Sequence, residues 1–182
     1  MGIDNGRDMP RLLLLRHAKS SWAEPGKADR ERPLAERGRE AADRMAQEMN
    51  ARGLLPDRIL CSPARRTGET LAALLPHLPP AVDLQIIEDL YEAADDYRAI
   101  IALNGDEAEC LLVVGHNPAI HATAVNLIGS ADRKIVSKYP TGALAVIDFG
   151  EPWADIRPGS GRLAGFIRPR DLDDDPGAQD DD

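Results

Sequence analysis

At 182 residues the chain has the length of a single domain with room for a substantial core, and its scarce aromatics and ordinary apolar content suit helices packed on a sheet. No apolar run approaches bilayer-spanning length, and the opening MGIDNGRDMP lacks the apolar stretch of a secretory signal, so a soluble, cytoplasmic protein with no membrane association is expected. The net charge of −9 is concentrated in residues 171–182, DLDDDPGAQDDD, which predict an acidic disordered tail after one domain over 1–170. With no basic stripe and interleaved aromatics, nucleic acid is not an expected partner.

The predicted elements alternate. Leu12 to Leu15 form a first strand, and PLAERGREAADRMAQEMNARG a helix with Ala42, Met45, Ala46 and Met49 on one face and Gly53 as its stop. DRILCS is a second strand. PARRTGETLAALLPHL follows as a helix with Pro63 at its first position and Thr67, Leu71, Leu74, Leu75 and Leu78 toward the core. VDLQIIED is a third strand, with a short helix over about 95–104. CLLVVGH is a fourth strand, apolar throughout as a sheet covered on both faces requires. NPAIHATAVNLIG is a helix with Asn117 as cap, Pro118 at the first position and Gly129 as stop, and GALAVIDFG and RLAGFIRP are strands at or near an edge. This order predicts an α/β three-layer sandwich, a mostly parallel sheet flanked by helices on both faces. Cys61 and Cys110 fall inside strands and read as small core residues.

In such sheets ligands bind beyond the carboxyl ends of the strands. The first strand delivers Arg16 and His17 there, and the second Ser62 with Arg65 and Arg66 in the following turn. The third delivers Glu88 and Asp89, with Glu92 beyond, and the fourth His116. Taken singly these residues have ordinary explanations: Arg65 could pair with Glu69 one helical turn on, and His116 could be a satisfied histidine near a cap. Together they place two histidines, at least two arginines and a carboxylate on one rim.

That set suits phosphoryl transfer. Guanidinium forks match phosphate oxygens and keep their charge. A neutral imidazole attacks phosphorus to give a phosphohistidine that water hydrolyses, and a carboxylate can protonate a departing alkoxide. There is no G-x-S-x-G elbow and no G-x-x-x-x-G-K-[ST] loop. CSPARRT has four residues between Cys61 and Arg66, where a cysteine phosphatase needs five. His17, His77, His116 and His121 form no close pair on one helix face, so no metal and no cofactor are expected.

The motifs LLLLRHAKSSW, PLAERGREAA, SPARRTGET and VVGHNPAI together resemble the histidine phosphatase superfamily, which includes the cofactor-dependent phosphoglycerate mutases. Ala18 stands where its R-H-G signature has glycine. R-H-A-K-S with G-H-N-P is similar to the small SixA-type branch of phosphohistidine phosphatases. The resemblance spans about residues 10–150 and implies a phosphoglycerate mutase-like fold. It makes His17 the nucleophile, puts Arg16, Arg66 and His116 around the phosphate with Ser20 nearby, and assigns phosphate binding to Arg66 rather than Arg65. For the general acid it points to Glu88 first and Glu92 second, or to no acid at all. Short strand-to-helix passages predict an open rim, and hence a phosphohistidine-bearing protein as substrate. A general small phosphomonoester phosphatase is the alternative, and a phosphate-recognising module without turnover is the reading from outside enzymology.

Overall fold

The computed structural model describes residues 9–23, 25–129, 135 and 137–172. The strands are β1 (Arg11–Arg16), β2 (Arg58–Cys61), β3 (Asp83–Ile86), β4 (Cys110–Gly115), β5 (Leu144–Phe149) and β6 (Gly161–Ile167). They form one sheet in the order β3-β2-β4-β1-β5-β6. The first four are mutually parallel; β5 runs antiparallel to β1, and β6 antiparallel to β5. β6 closes one edge of the sheet and β5 lies next to it, at and near an edge as their sequences suggested.

Strand alternation sorts the core into two layers. Leu12 and Leu14 of β1, Leu111 and Val113 of β4, and Ala145 and Ile147 of β5 pack on one face of the sheet. There they meet α5 (Ala119–Ile128) through Ile120, Ala124 and Leu127, and α4 (Arg98–Asn104) through Ile101. The intervening Leu13, Leu15, Leu112, Val114, Leu144 and Val146 pack on the other face. Their partners are Met45, Ala46 and Met49 of α1 (Glu36–Ala51) and Leu71 and Leu74 of α2 (Arg65–Leu74). Each fully buried Leu contributes about 1.5–3 kcal/mol from burial, and β1 carries four of them in a row. A short helix, α3 (Asp89–Glu92), follows β3.

Several boundaries differ from the sequence reading. α2 begins at Arg65 with Ala64 in the cap position, so Pro63 precedes the cap instead of opening the helix. α2 ends at Leu74 and gives way to a 3-10 turn at Leu75–His77, which turns Leu75 out to solvent at 41% exposure. α5 starts at Ala119 behind Pro118, and Asn117 donates its Nδ2 amide to the Tyr139 carbonyl at 3.0 Å instead of capping. Gly129 does end α5, with the positive φ of 67° that glycine tolerates. The passage from β1 to α1 is not short. It runs from 17 to 35 and carries a 3-10 turn at Asp29–Glu31 back over the rim. The acidic stretch from 173 onward lies outside the described residues.

Candidate active site

The strand tips are tied to one another by backbone bonds. His17 N–H donates to Gly115 O at 3.1 Å, Ser62 N–H to Val114 O at 3.0 Å, and Gly142 N–H to His17 O at 3.0 Å. Close packing adds to this. A Cβ on Gly38 of α1 would sit 2.1 Å from the Lys19 carbonyl oxygen, so the absence of a side chain lets α1 press on the loop that leaves β1. His17 therefore stands on a framed strand end rather than on a free loop.

The two histidines meet as the parallel topology requires, with ring centroids 5.1 Å apart and planes tilted by 55°. His17 Nδ1 lies 2.8 Å from the Ala18 carbonyl. A carbonyl can only accept, so Nδ1 carries the hydrogen and a neutral ring keeps its lone pair on Nε2. Burial lowers the His17 pKa to about 3, with His116, Arg66 and Arg16 adding to the effect. The ring is thus neutral across the physiological range. Ser62 Oγ lies 2.7 Å from His116 Nε2, and burial followed by the charge of Arg66 brings His116 down to about 4. His116 Nδ1 is buried with no hydrogen-bond partner among the described residues. The backbone of His116 is fixed by Tyr97, whose buried hydroxyl accepts its N–H at 3.0 Å and donates to Leu90 O at 2.9 Å.

A cavity of about 250 Å³ opens at this rim, lined by Arg16, His17, Lys19, Ser20, Trp22, Arg32, Arg66 and Thr141. Four residues singled out from the sequence, Arg16, His17, Ser20 and Arg66, therefore share one pocket, and His116 packs against His17 beside it. Arg16 donates through Nη1 to the Tyr139 carbonyl at 2.8 Å. Arg66 is buried and aims both Nη groups at Asp29, Nη1 to the backbone oxygen at 2.7 Å and Nη2 to Oδ2 at 2.9 Å. Arg65 is spent on Glu69 at 2.7 Å, the one-turn pair anticipated for it.

Glu88 stands apart from this pocket. It is exposed, and both its oxygens accept from Arg30, at 2.5 and 2.8 Å. Glu92 is exposed at the end of α3.

The turn at 29–31 supplies residues the sequence reading missed. Asp29 accepts from Arg66, from Arg32 Nη1 at 3.0 Å and from the Tyr91 hydroxyl at 3.1 Å, and these hydrogen bonds hold its carboxyl below the usual carboxylate range against the opposing effect of burial. Arg32 is itself buried and donates through Nη2 to Ser20 Oγ at 2.6 Å. Tyr91 sets its ring edge-on to His116, with centroids 5.6 Å apart. The sequence held one usable signal for this group, the spacing of Arg30 and Arg32 just before α1. Among the described residues no group of three His, Cys, Asp or Glu side chains gathers as a metal would need, and no helix is long and apolar enough to cross a membrane.

The buried rings make stability depend on pH. Both folded-state values lie below the ordinary 6.5, so between about pH 6.5 and 3–4 the unfolded chain binds protons that the folded chain refuses. Stability therefore falls as pH drops through that window. A His17→Gln variant is expected to lose less in Tm than the wild type between pH 7 and 4.5, checked by thermal melts at matched ionic strength. Parallel losses would mean that His17 titrates normally.

Two neutral imidazoles and two guanidiniums thus gather around one pocket at the strand tips. Residues 12–97 match the profile of the histidine phosphatase superfamily (branch 1). The candidate phosphohistidine phosphatase SixA of Agrobacterium tumefaciens is 32% identical, with a TM-score of 0.75 over 88% of this chain and 98% of that one. A second, of Nakamurella multipartitia, is 30% identical, with a TM-score of 0.76 over 90% of this chain and 98% of that one. The uncharacterized protein Rv1276c of Mycobacterium tuberculosis is 38% identical over 164 residues, covering 86% of this chain and all of the relative. The chain belongs to the histidine phosphatase superfamily and is a histidine-type phosphatase. Within that superfamily it falls in the SixA-type branch.

Proposed function

We propose that this protein hydrolyses phosphohistidine on a partner protein through a covalent intermediate on His17, without a metal. The observation that carries the reading is the His17 ring itself: neutral, anchored through Nδ1–H to the Ala18 carbonyl, and set in a pocket with Arg16 and Arg66. In the first step the Nε2 lone pair attacks phosphorus. The new N–P bond forms as the substrate's N–P bond breaks, and the departing imidazole keeps the proton its distal nitrogen has taken from solvent. In the second, water attacks the phosphorus, the His17 N–P bond breaks, and phosphate leaves with the excess proton passing to solvent. Arg16 and Arg66, which line the pocket with His17, and His116 beside it stabilise charge on the equatorial oxygens. The SixA names carried by the relatives at 30% and 32% identity support this substrate class.

The position of Glu88 favours a nitrogen leaving group over an alkoxide. Both Glu88 oxygens accept from Arg30 and the side chain stands apart from the pocket, so Glu88 is not placed to protonate a leaving group there. An alkoxide needs the proton; an imidazole that has picked one up from solvent does not. Turnover of a phosphohistidine-bearing phosphotransfer protein and of p-nitrophenyl phosphate, with chelator present, tests the substrate. Higher kcat/KM on the protein supports the proposal, and preference for the small ester overturns it. Glu88→Ala is therefore expected to change kcat/KM on alkyl phosphates and on phosphohistidine alike, by less than about threefold. A loss of tenfold or more confined to alkyl phosphates would make Glu88 the general acid and overturn this part of the reading.

A further inference from the structure

The passage between β1 and α1 carries a surface that attack at phosphorus does not use. Trp22 lines the same cavity as His17, Arg16 and Arg66, yet is 77% exposed, the indole standing at the mouth with little covering it. One face is occupied: the Arg32 guanidinium carbon lies 3.2 Å from the ring centroid. That guanidinium is clamped from three sides, by Ser20 Oγ at 2.6 Å, the Ser21 carbonyl at 3.2 Å and Asp29 Oδ1 at 3.0 Å. The backbone leading to the indole is pinned as well, by the Ser20–Leu34 bridge and by Ser21 N–H donating to Pro33 O at 2.8 Å. A large apolar ring left in water beside a polar pocket, with its underside held by a fixed cation, is a shelf ready to take a second ring on its free face.

We propose that Trp22, backed by Arg32, is a subsite for a planar ring attached to the phosphoryl group, so that the enzyme selects phosphorylated aromatic or heteroaromatic groups over flexible aliphatic ones. This rests on the phosphatase reading of the same pocket. A phosphoryl group bound by Arg16 and Arg66 shares its cavity with the indole, and a planar leaving group can stack there. Stacking also orients the scissile bond, because a ring lying on the shelf has lost its rotation before His17 attacks.

Inhibition constants for phenylphosphonate and methylphosphonate, measured against hydrolysis of phosphoramidate, test the shelf apart from the chemistry. In Trp22→Ala the Ki for phenylphosphonate should rise at least fivefold, about 1 kcal/mol, while that for methylphosphonate changes less than twofold. Trp22→Phe should keep most of the phenyl preference because it keeps a ring face. Matching shifts for the two phosphonates, or none for either, would overturn the subsite and leave the phosphatase reading standing. A wild-type enzyme that hydrolyses neither phosphoramidate nor a phosphohistidine protein would overturn both.

Discussion

His17→Ala will leave a folded protein with kcat reduced by a factor on the order of 10⁴ or more. Nucleophile removal costs this much because the remaining groups act as a unit around the missing atom. The ring sits on a strand end framed by Gly115, Gly142 and Gly38, none of whose contacts depends on an imidazole. The substitution also removes a buried group that resists protonation, so Tm at pH 5 should not fall with the activity. Steady-state kinetics with a melting curve on the same preparation checks both halves. A variant with activity within tenfold of wild type would mean that phosphorus is attacked by something other than His17.

The second large effect is expected at Arg66. It is buried, and both Nη groups hold Asp29. Arg66→Ala therefore removes a charge that lines the pocket and leaves the Asp29 carboxylate to Arg32 and Tyr91. A loss of about 10²–10³ in kcat/KM is expected, comparable to deleting a preorganised donor from an oxyanion site. Arg66→Lys should recover little, since an ammonium keeps the charge but cannot reproduce a two-pronged hold on Asp29. The turn at 29–31 should loosen in both variants, seen as faster amide exchange at Arg30 and Glu31. A lysine variant near wild-type kcat/KM would show that charge alone is needed there.

The backbone of this site was legible because parallel strands obey a simple geometry. Once Leu12–Leu15 and Leu111–Val114 are read as buried strands, Arg16, His17 and His116 must emerge on one rim, and they do. The misreadings have local physical causes. A polar residue at the start of a helix suggests a cap, but Asn117 is committed elsewhere and gives its amide to Tyr139. Leu75 fits the apolar period of α2, yet Pro76 cannot donate into an α-helical turn, and the chain tightens to a 3-10 turn that faces Leu75 outward. Asp29 and Arg32 were invisible because they lie in a passage with no periodicity, and Tyr91, in α3, because the partner it meets is far away in sequence. Glu88 was correctly placed at the β3 tip. What it touches there, Arg30, arrives from that same passage.

The most direct test is to quench the enzyme in alkali during turnover of a radiolabelled phosphohistidine protein and map the label by peptide. Label on the peptide containing His17, acid-labile and absent from His17→Ala, is the predicted result. Label on another residue, or sustained turnover with no labelled enzyme at any quench time, would contradict attack by His17.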